Sequence, residues 1–334
     1  MKPRMSSLGL TALIVIAIVS GGLMGTGDGL AQEKVAYRLK WMINASTAGD
    51  VFALSQGFFA KEGLDVAVKA GGPERDAIRE LELGYAQFGV ASADQVIRAL
   101  SKGAAVVVLA QLFQVNPLQW IYRPDDFSLS RTQDLAGRTV GVTYGGNDET
   151  ILRALLAGAG MNPDQVRLAS VRYDYMPFLK NQVQVWPVYR NTQGIFLADK
   201  LASGGDRVAF FDPSEHGVRF VANSIVTSQK MIAHHLGTVE GFSRALLAGW
   251  QAAMASANES AVIRAVSAYD RDTSPAVMRR QLAVTRQMIQ PDPAVRLGHI
   301  DKGAWLQTEK IMLDQKLIPA PVHVIDRLRP QPSS

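Results

Sequence analysis

The sequence of 334 residues contains no cysteine. That absence excludes disulfides, thiolate metal sites, a thiol nucleophile and a lipid anchor attached through an N-terminal cysteine. Catalytic signatures are missing as well. There is no G-x-S-x-G elbow, no phosphate-binding P-loop, no G-x-G-x-x-G after a strand and no H-E-x-x-H. Histidine is sparse: His216, His234, His235, His299 and His323 are spread along the chain, and neighbours such as His234 and His235 point in different directions from a helix, so no metal site is expected. The 35 basic and 30 acidic residues give a formal net charge of +5. The arginines are scattered rather than gathered into a patch, which argues against nucleic acid as a partner. No segment repeats at a solenoid period and none is of low complexity.

What is present starts with Lys2 and Arg4, an apolar run from Leu8 to Val19, and small residues ending in Gly29-Leu30-Ala31. This order reads as a secretory signal peptide over residues 1–31, cleaved after about Ala31. The apolar run is well short of the roughly 20 residues that span a bilayer. A free, soluble protein of the bacterial periplasm is expected, with enough chain left for two domains of ordinary size.

From Val35 onward, short apolar runs alternate with helix-period segments, the pattern of an α/β protein. Strands are expected at 35–41, 64–68, 88–91 and 106–112. Helices are expected at 48–61, from Pro73 to about Gly84, and at 94–101, with Gly63 just past a helix end. Residues 116–130, with Pro117, Pro124 and a broken pattern, read as a crossing between lobes. Strands at 138–144, 166–171, 184–188 and 208–211 and a helix at 148–159 follow, then a return strand at 220–226 and an almost purely helical tail. The expected architecture is two mixed sheets flanked by helices, two lobes joined by two hinge crossings. Lobe 1 takes residues 32–122 and 223–334, including the C-terminal helices, and lobe 2 takes residues 123–222. Ligands of such sheets bind outside the carboxyl ends of the strands.

Several strand-end turns carry side chains suited to that edge. In WMINASTAGD (41–50), Thr47 and Asp50 have capping-box spacing, while Trp41 and Asn44 offer a flat apolar face and an amide that suit a planar, polar-edged heterocycle. In TYGGNDE (143–149), Gly145 and Gly146 allow close backbone approach at a helix N-terminus. There Asp148 and Glu149 either complement the helix dipole or accept hydrogen bonds from a neutral or cationic ligand. VWPVYRNTQG (185–194) brings Tyr189 and Asn191 to a strand end, with Trp186 and Tyr189 on opposite faces. Asp174, beside Tyr173, either caps a helix or faces the cleft, and Gln114 lies close to the first crossing.

These stretches form a series that resembles one family. W-x-x-N-x-x-x-A-G followed by GFFAKEGLDV, then AGGPE (70–74), QFGVASADQ (87–95), LAQLFQ (109–114), DLAGRTVGV (134–142), GGNDE and QVQVWPVYRNTQG, is similar to the periplasmic solute-binding proteins for thiamine-pyrimidine precursors and riboflavin. The resemblance implies the two-lobed, type II periplasmic-binding fold and delivery of a small aromatic heterocycle to the permease and ATPase subunits of an ATP-driven importer, by a monomer without a cofactor. It implies stacking at Trp41, polar contacts at Asn44 and Thr47, contacts from Gly146, Asn147, Asp148 and Glu149, and a strand-end pair at Tyr189 and Asn191. Asp50, Gln114 and Asp174 complete the candidate set. Ile43, Thr47 and Val51 depart from the pyrimidine binders, which usually carry proline, a His- or Gln-like residue and tyrosine there. The alternatives are a binder of an aromatic carboxylate or aliphatic sulfonate, a ligand-sensing subunit, and an enzyme on the same fold, pyrimidine-synthesising or dehydratase-like. The pyrimidine-synthesising relatives use a cysteine-rich motif, which this chain lacks.

Overall fold

The computed structural model describes residues 32–72, 74–171 and 174–329. The expected signal peptide, Pro73 and Tyr173 lie outside the described residues. In chain order the first elements are β1 (Glu33–Arg38), α1 (Ala48–Ser55), α2 (Phe58–Lys61), β2 (Leu64–Lys69), α3 (Ala77–Leu83), β3 (Phe88–Ala91), α4 (Ala93–Leu100) and β4 (Val106–Gln111). Next come β5 (Leu118–Tyr122), β6 (Thr139–Val142), α5 (Asn147–Gly158), β7 (Arg167–Ser170), α6 (Met176–Leu179), β8 (Val185–Tyr189), α7 (Gln193–Ala202) and β9 (Ala209–Phe211). The chain returns through β10 (Ser224–Ser228) into α8 (Gln229–His234), α9 (Leu236–Met254), α10 (Glu259–Ser267), α11 (Pro275–Ile289) and α12 (Lys302–Asp314).

The strands form two five-stranded sheets, ordered β2-β1-β3-β10-β4 and β7-β6-β8-β5-β9. In the first, β1 pairs in parallel with β2 and β3, and β10 runs antiparallel between β3 and β4. In the second, β6 pairs in parallel with β7 and β8, and β5 runs antiparallel between β8 and β9. Both sheets therefore follow one plan, and in each the antiparallel strand is the one that has just arrived from the other sheet. The crossings, residues 112–117 and 212–223, leave and enter at the carboxyl edge of the parallel strands, so the strand-end turns of both sheets collect at that edge.

Apolar faces explain why the helices sit where they do. On the first sheet Phe88 stacks on Phe242 of α9 at 3.7 Å between centroids, and Tyr37 meets the same ring edge-on at 5.0 Å. Helices α1 and α9 approach so closely that a Cβ on Gly49 would fall 2.0 Å from the Trp250 ring and one on Gly249 would fall 2.3 Å from Ala53. The opposite face is covered by α4 and α12, with Trp305 fully buried. The second sheet buries Trp120, Val140 and Val142 against α5 on one side and Trp186 and Val188 against α7 on the other.

Four expectations need correction. The crossing expected over residues 116–130 contains β5, all of it buried and paired into the second sheet, so the passage between sheets ends before Leu118 rather than at the expected boundary of 122. The return strand begins at Ser224, four residues later than read from the sequence. The helix expected over 48–61 is interrupted at Gly57, whose φ of 69° is left-handed, giving α1 and α2. Finally, the helix expected from Pro73 starts at Ala77, capped by Asp76, whose carboxylate accepts from the Arg79 N–H at 2.9 Å. Among the described residues no helix is long and apolar enough to cross a membrane.

Candidate functional site

Trp41 stands just past β1, 41 % exposed, and its indole makes no ring contact or hydrogen bond among the described residues. Its carbonyl accepts from Gly71 N–H at 2.9 Å, and a Cβ at Gly71 would meet the Leu39 carbonyl oxygen at 2.0 Å. The glycine of AGGPE thus lets the β2 turn lie against the tryptophan segment and hold it at the sheet edge.

The cap after Trp41 is built one turn earlier than the spacing of Thr47 and Asp50 suggested. Asn44 caps a 3-10 turn over Ala45–Thr47 by accepting from Ser46 N–H at 2.8 Å and from the Ser46 hydroxyl at 2.6 Å. The buried Thr47 hydroxyl donates to the Asn44 carbonyl and accepts from its N–H. Because Oδ1 faces two donors, the orientation of the Asn44 amide is fixed, and Nδ2 is left without a partner among the described residues. Thr47 makes no side-chain cap to α1.

Asp50 turns away from that edge into the core. It is 2 % exposed and accepts from the Tyr37 hydroxyl at 2.5 Å, with the Trp250 indole N–H close by but outside hydrogen-bond geometry. Burial pushes its pKa up to about 7, against the lowering effect of those donors, and pushes that of Tyr37 well above its ordinary value.

On the second sheet, Gly145 (φ 78°) turns the chain into α5. Asp148, 4 % exposed, accepts from Thr143 N–H at 2.6 Å, and Glu149 accepts from Gly145 N–H at 2.8 Å while pairing with Arg153. Burial raises the pKa of Asp148 despite its backbone donors. Burial would raise that of Glu149 too, but the Gly145 N–H and the Arg153 guanidinium bring it below its ordinary value. Both acids therefore fasten their own loop. Asn147, the first residue of α5, and half-buried Gly146 stand beside them at the edge.

Asp174 is exposed, and its carboxylate accepts from Met176 N–H at 2.9 Å in the turn that leads into α6, whose N-cap position is Tyr175. Gln114 spends its amide on the carbonyls of Gln111 and His299, both at 2.9 Å, and so ties the first crossing to the C-terminal segment. Tyr189 is half-buried at the end of β8, on the face opposite Trp186 as expected from alternation, and its hydroxyl has no partner among the described residues. Neighbouring Arg190 lies 4.0 Å from the Phe210 ring centroid and has no ion pair among the described residues, and burial together with Arg280 lowers its pKa.

Asn191 is 1 % exposed and donates through Nδ2 to the Thr285 hydroxyl of α11 at 2.9 Å. That helix also packs against the 45–47 turn, and its Met288 carbonyl accepts from Gln114 and Val115 N–H, each at 3.0 Å. One C-terminal helix thus touches three of the expected segments, those of Asn44–Thr47, Gln114 and Asn191. Asp50 and Asp174 are not part of this grouping. Three polar groups escaped the sequence reading. Asp94, inside QFGVASADQ at the start of α4, has a buried Oδ1 without a partner, and Gln281 and Thr285 project from α11. Asp94 was legible from its place after β3; the α11 pair had no motif to mark it.

Among the described residues no three acidic or histidine side chains gather as metal ligands. Two shallow concavities of about 410 and 460 Å³ lie elsewhere, one between α10 and α11 by Arg264 and Arg279, the other beside α12 by Glu309 and His323, and include no residue of the strand-end turns. The edge itself offers an aromatic face, the amide donor of Asn44 and the Tyr189 hydroxyl, whereas the unpartnered oxygens of Asp94 and Asn191 are buried.

A family model described as NMT1/THI5 like matches residues 44–260. The chain belongs to the NMT1/THI5-like family. A Haemophilus influenzae protein named for thiamine biosynthesis is 28% identical over 63% of this chain and 66% of its own length. The formylaminopyrimidine-binding protein of Halalkalibacterium halodurans is 26% identical over 72% of each chain. Among solved structures, the periplasmic aliphatic sulphonate binding protein SsuA of Escherichia coli superposes with a TM-score of 0.68 at 16% identity, covering 90% of this chain and 93% of its own. The desulfurization enzyme DSZB does so at 0.59 and 14%, covering 90% and 97%. This NMT1/THI5-like chain therefore has the two-lobed, type II periplasmic-binding fold, a fold used by both binders and an enzyme.

Proposed function

We propose that this NMT1/THI5-like protein is an exported solute-binding protein that takes a small planar heterocycle, of the thiamine-pyrimidine-precursor or riboflavin type, and hands it to the permease and ATPase of an importer. The observation that carries this reading is the free indole of Trp41 beside the free Asn44 amide donor, at the edge where the turns of both sheets meet. A flat face and a neutral hydrogen-bonding rim suit a heteroaromatic ring. The formylaminopyrimidine binder among its relatives and the signal-peptide pattern of residues 1–31 support the same reading. A second reading, an aromatic carboxylate or sulfonate, is favoured by one feature, Arg190 next to Asn191, which lies over the Phe210 ring and has no ion pair among the described residues. Binding rather than turnover is the proposed role.

Thermal unfolding against pyrimidines, flavins, aromatic carboxylates and sulfonates tests it. A ligand present at about 100 times its dissociation constant adds roughly 2.7 kcal/mol to stability. A shift with a pyrimidine or flavin is the expected result. A shift confined to anions would replace this reading with the second, and a product formed on incubation would replace it with an enzyme.

A further inference from the structure

Arg38 puts a charge where the strand pattern calls for an apolar side chain. Alternation along β1 sets it on the same face as Ala36, which packs in the cluster of Ile78 and Leu81 of α3, and it is 8 % exposed. Its guanidinium bonds in two directions. Nε donates to Glu80 of α3 at 2.9 Å and Nη2 pairs with the same carboxylate at 2.8 Å, while Nη1 donates to the Ala70 carbonyl at 2.5 Å. Well-packed apolar side chains of similar volume are often as stable as a buried ion pair, so stability alone does not account for this one.

Ala70 opens the turn after β2, and there the β1–β2 ladder leaves its register. Leu39 N–H still bonds the Lys69 carbonyl at 2.8 Å, and the next bond of a regular parallel ladder would run from Gly71 N–H to the Leu39 carbonyl. It runs instead to the Trp41 carbonyl at 2.9 Å, with Gly71 packed on the Leu39 and Lys40 carbonyls. The series from Glu80 through Arg38 and Ala70 to Gly71 therefore ends on the backbone of Trp41.

We propose that Arg38 is a positioning residue for the ligand edge: anchored by Glu80, its guanidinium holds the turn at Ala70 and Gly71, and that turn sets where the Trp41 indole stands. The proposal rests on the binding reading above and goes beyond it, because Arg38 touches no ligand yet governs the stacking face. A guanidinium suits the task, since its planar fork bonds a carboxylate and a carbonyl in fixed relative directions.

Of the five tryptophans, Trp120, Trp186, Trp250 and Trp305 are buried, so iodide quenching of fluorescence reports Trp41 and should largely vanish in Trp41→Phe. The test replaces the pair by apolar side chains in the double variant Arg38→Met/Glu80→Leu, which should melt close to the wild type. Its iodide quenching should be steeper than that of the wild type. In titration calorimetry it should bind 4-amino-5-hydroxymethyl-2-methylpyrimidine or riboflavin, whichever the wild type takes, about fivefold or more weakly, as a displaced stacking face would. Arg38→Lys keeps a charge beside Glu80 but lacks the fork. It serves if the double variant does not fold, and both readouts should move the same way. A folded variant with unchanged quenching, or with changed quenching and unchanged affinity, overturns the positioning role and leaves the binding reading intact. A wild type that binds neither probe overturns the binding reading, while the quenching contrast needs no ligand and still decides whether Arg38 places Trp41.

Discussion

Burying Asp50 between Tyr37 and Trp250 makes the proton on that carboxyl part of the folding equilibrium. Its pKa is raised from an ordinary 3.8 to about 7 in the folded chain. Between those values the folded state holds a proton that the unfolded chain has released, so this group lowers stability as pH rises through that window and adds no further change above it. At about 1.4 kcal/mol per pKa unit, the swing is a few kcal/mol. Asp50→Asn should remove it. The expected outcome is that unfolding midpoints of wild type and variant diverge steadily from pH 4.5 to 7 in favour of the variant; parallel curves would mean that Asp50 is not the titrating group. Trp41 gives the complementary residue-scale expectation. Removing a partly exposed indole that makes no ring contact or hydrogen bond among the described residues should cost stability no more than about 1 kcal/mol, while Trp41→Ala should cost a stacked aromatic ligand about 1–3 kcal/mol by analogy with base stacking. Calorimetry on the folded variant checks both. The same two residues show what was legible at this scale. An aromatic and an amide at a strand end pointed to the edge from sequence alone, but the spacing of Thr47 and Asp50 misassigned the cap, because spacing cannot tell a carboxylate facing a helix end from one facing a buried tyrosine.

Among the elements, the close approach of α1 and α9 offers the sharpest expectation. Gly249→Ala would place a methyl group 2.3 Å from the Cβ of Ala53. Neither side is a flexible chain end, so the helices must separate, at about 1–3 kcal/mol. A urea midpoint lowered without a change in m-value would bear this out, and an unchanged midpoint would refute it. Strands whose residues are β-branched and bounded by glycine or proline, such as β4 and β6, were readable in advance. β5 was not: its LQWIY is buried along its whole length, so it shows no alternation, and Pro117 and Pro124 on either side resemble a linker. Gln119 within it is satisfied by Asp212 at 2.6 Å, a partner from the other crossing that local sequence does not reveal. Thr285 and Gln281 were hidden for a related reason. In sequence they are ordinary polar positions of an amphipathic helix, and only the tertiary fold shows that they are covered by the β8–α7 turn.

For the whole molecule, the two sheets are tied on both flanks. Arg280 of α11 pairs with Asp199 of α7 at 2.7 Å, and Gln315, just past α12, donates to the Thr150 carbonyl of α5 at 2.9 Å. If the sheets move as two lobes about residues 112–117 and 212–223, bound ligand should shorten the radius of gyration measured by small-angle scattering. An identical radius with a saturating ligand would mean that the ligand enters without closure. The exchange of antiparallel strands has another consequence, for the order in which the molecule can assemble. The second sheet is drawn from one uninterrupted stretch, 118–211, whereas β4 finds its sheet partner only in β10, supplied after that stretch is finished. During synthesis the first half of the chain must therefore wait, with an unpaired apolar strand, for its second half to be made. A delay at that stage exposes β4 to pairing with other chains, so a helper protein that shields nascent strands has its clearest target in VVVLAQ.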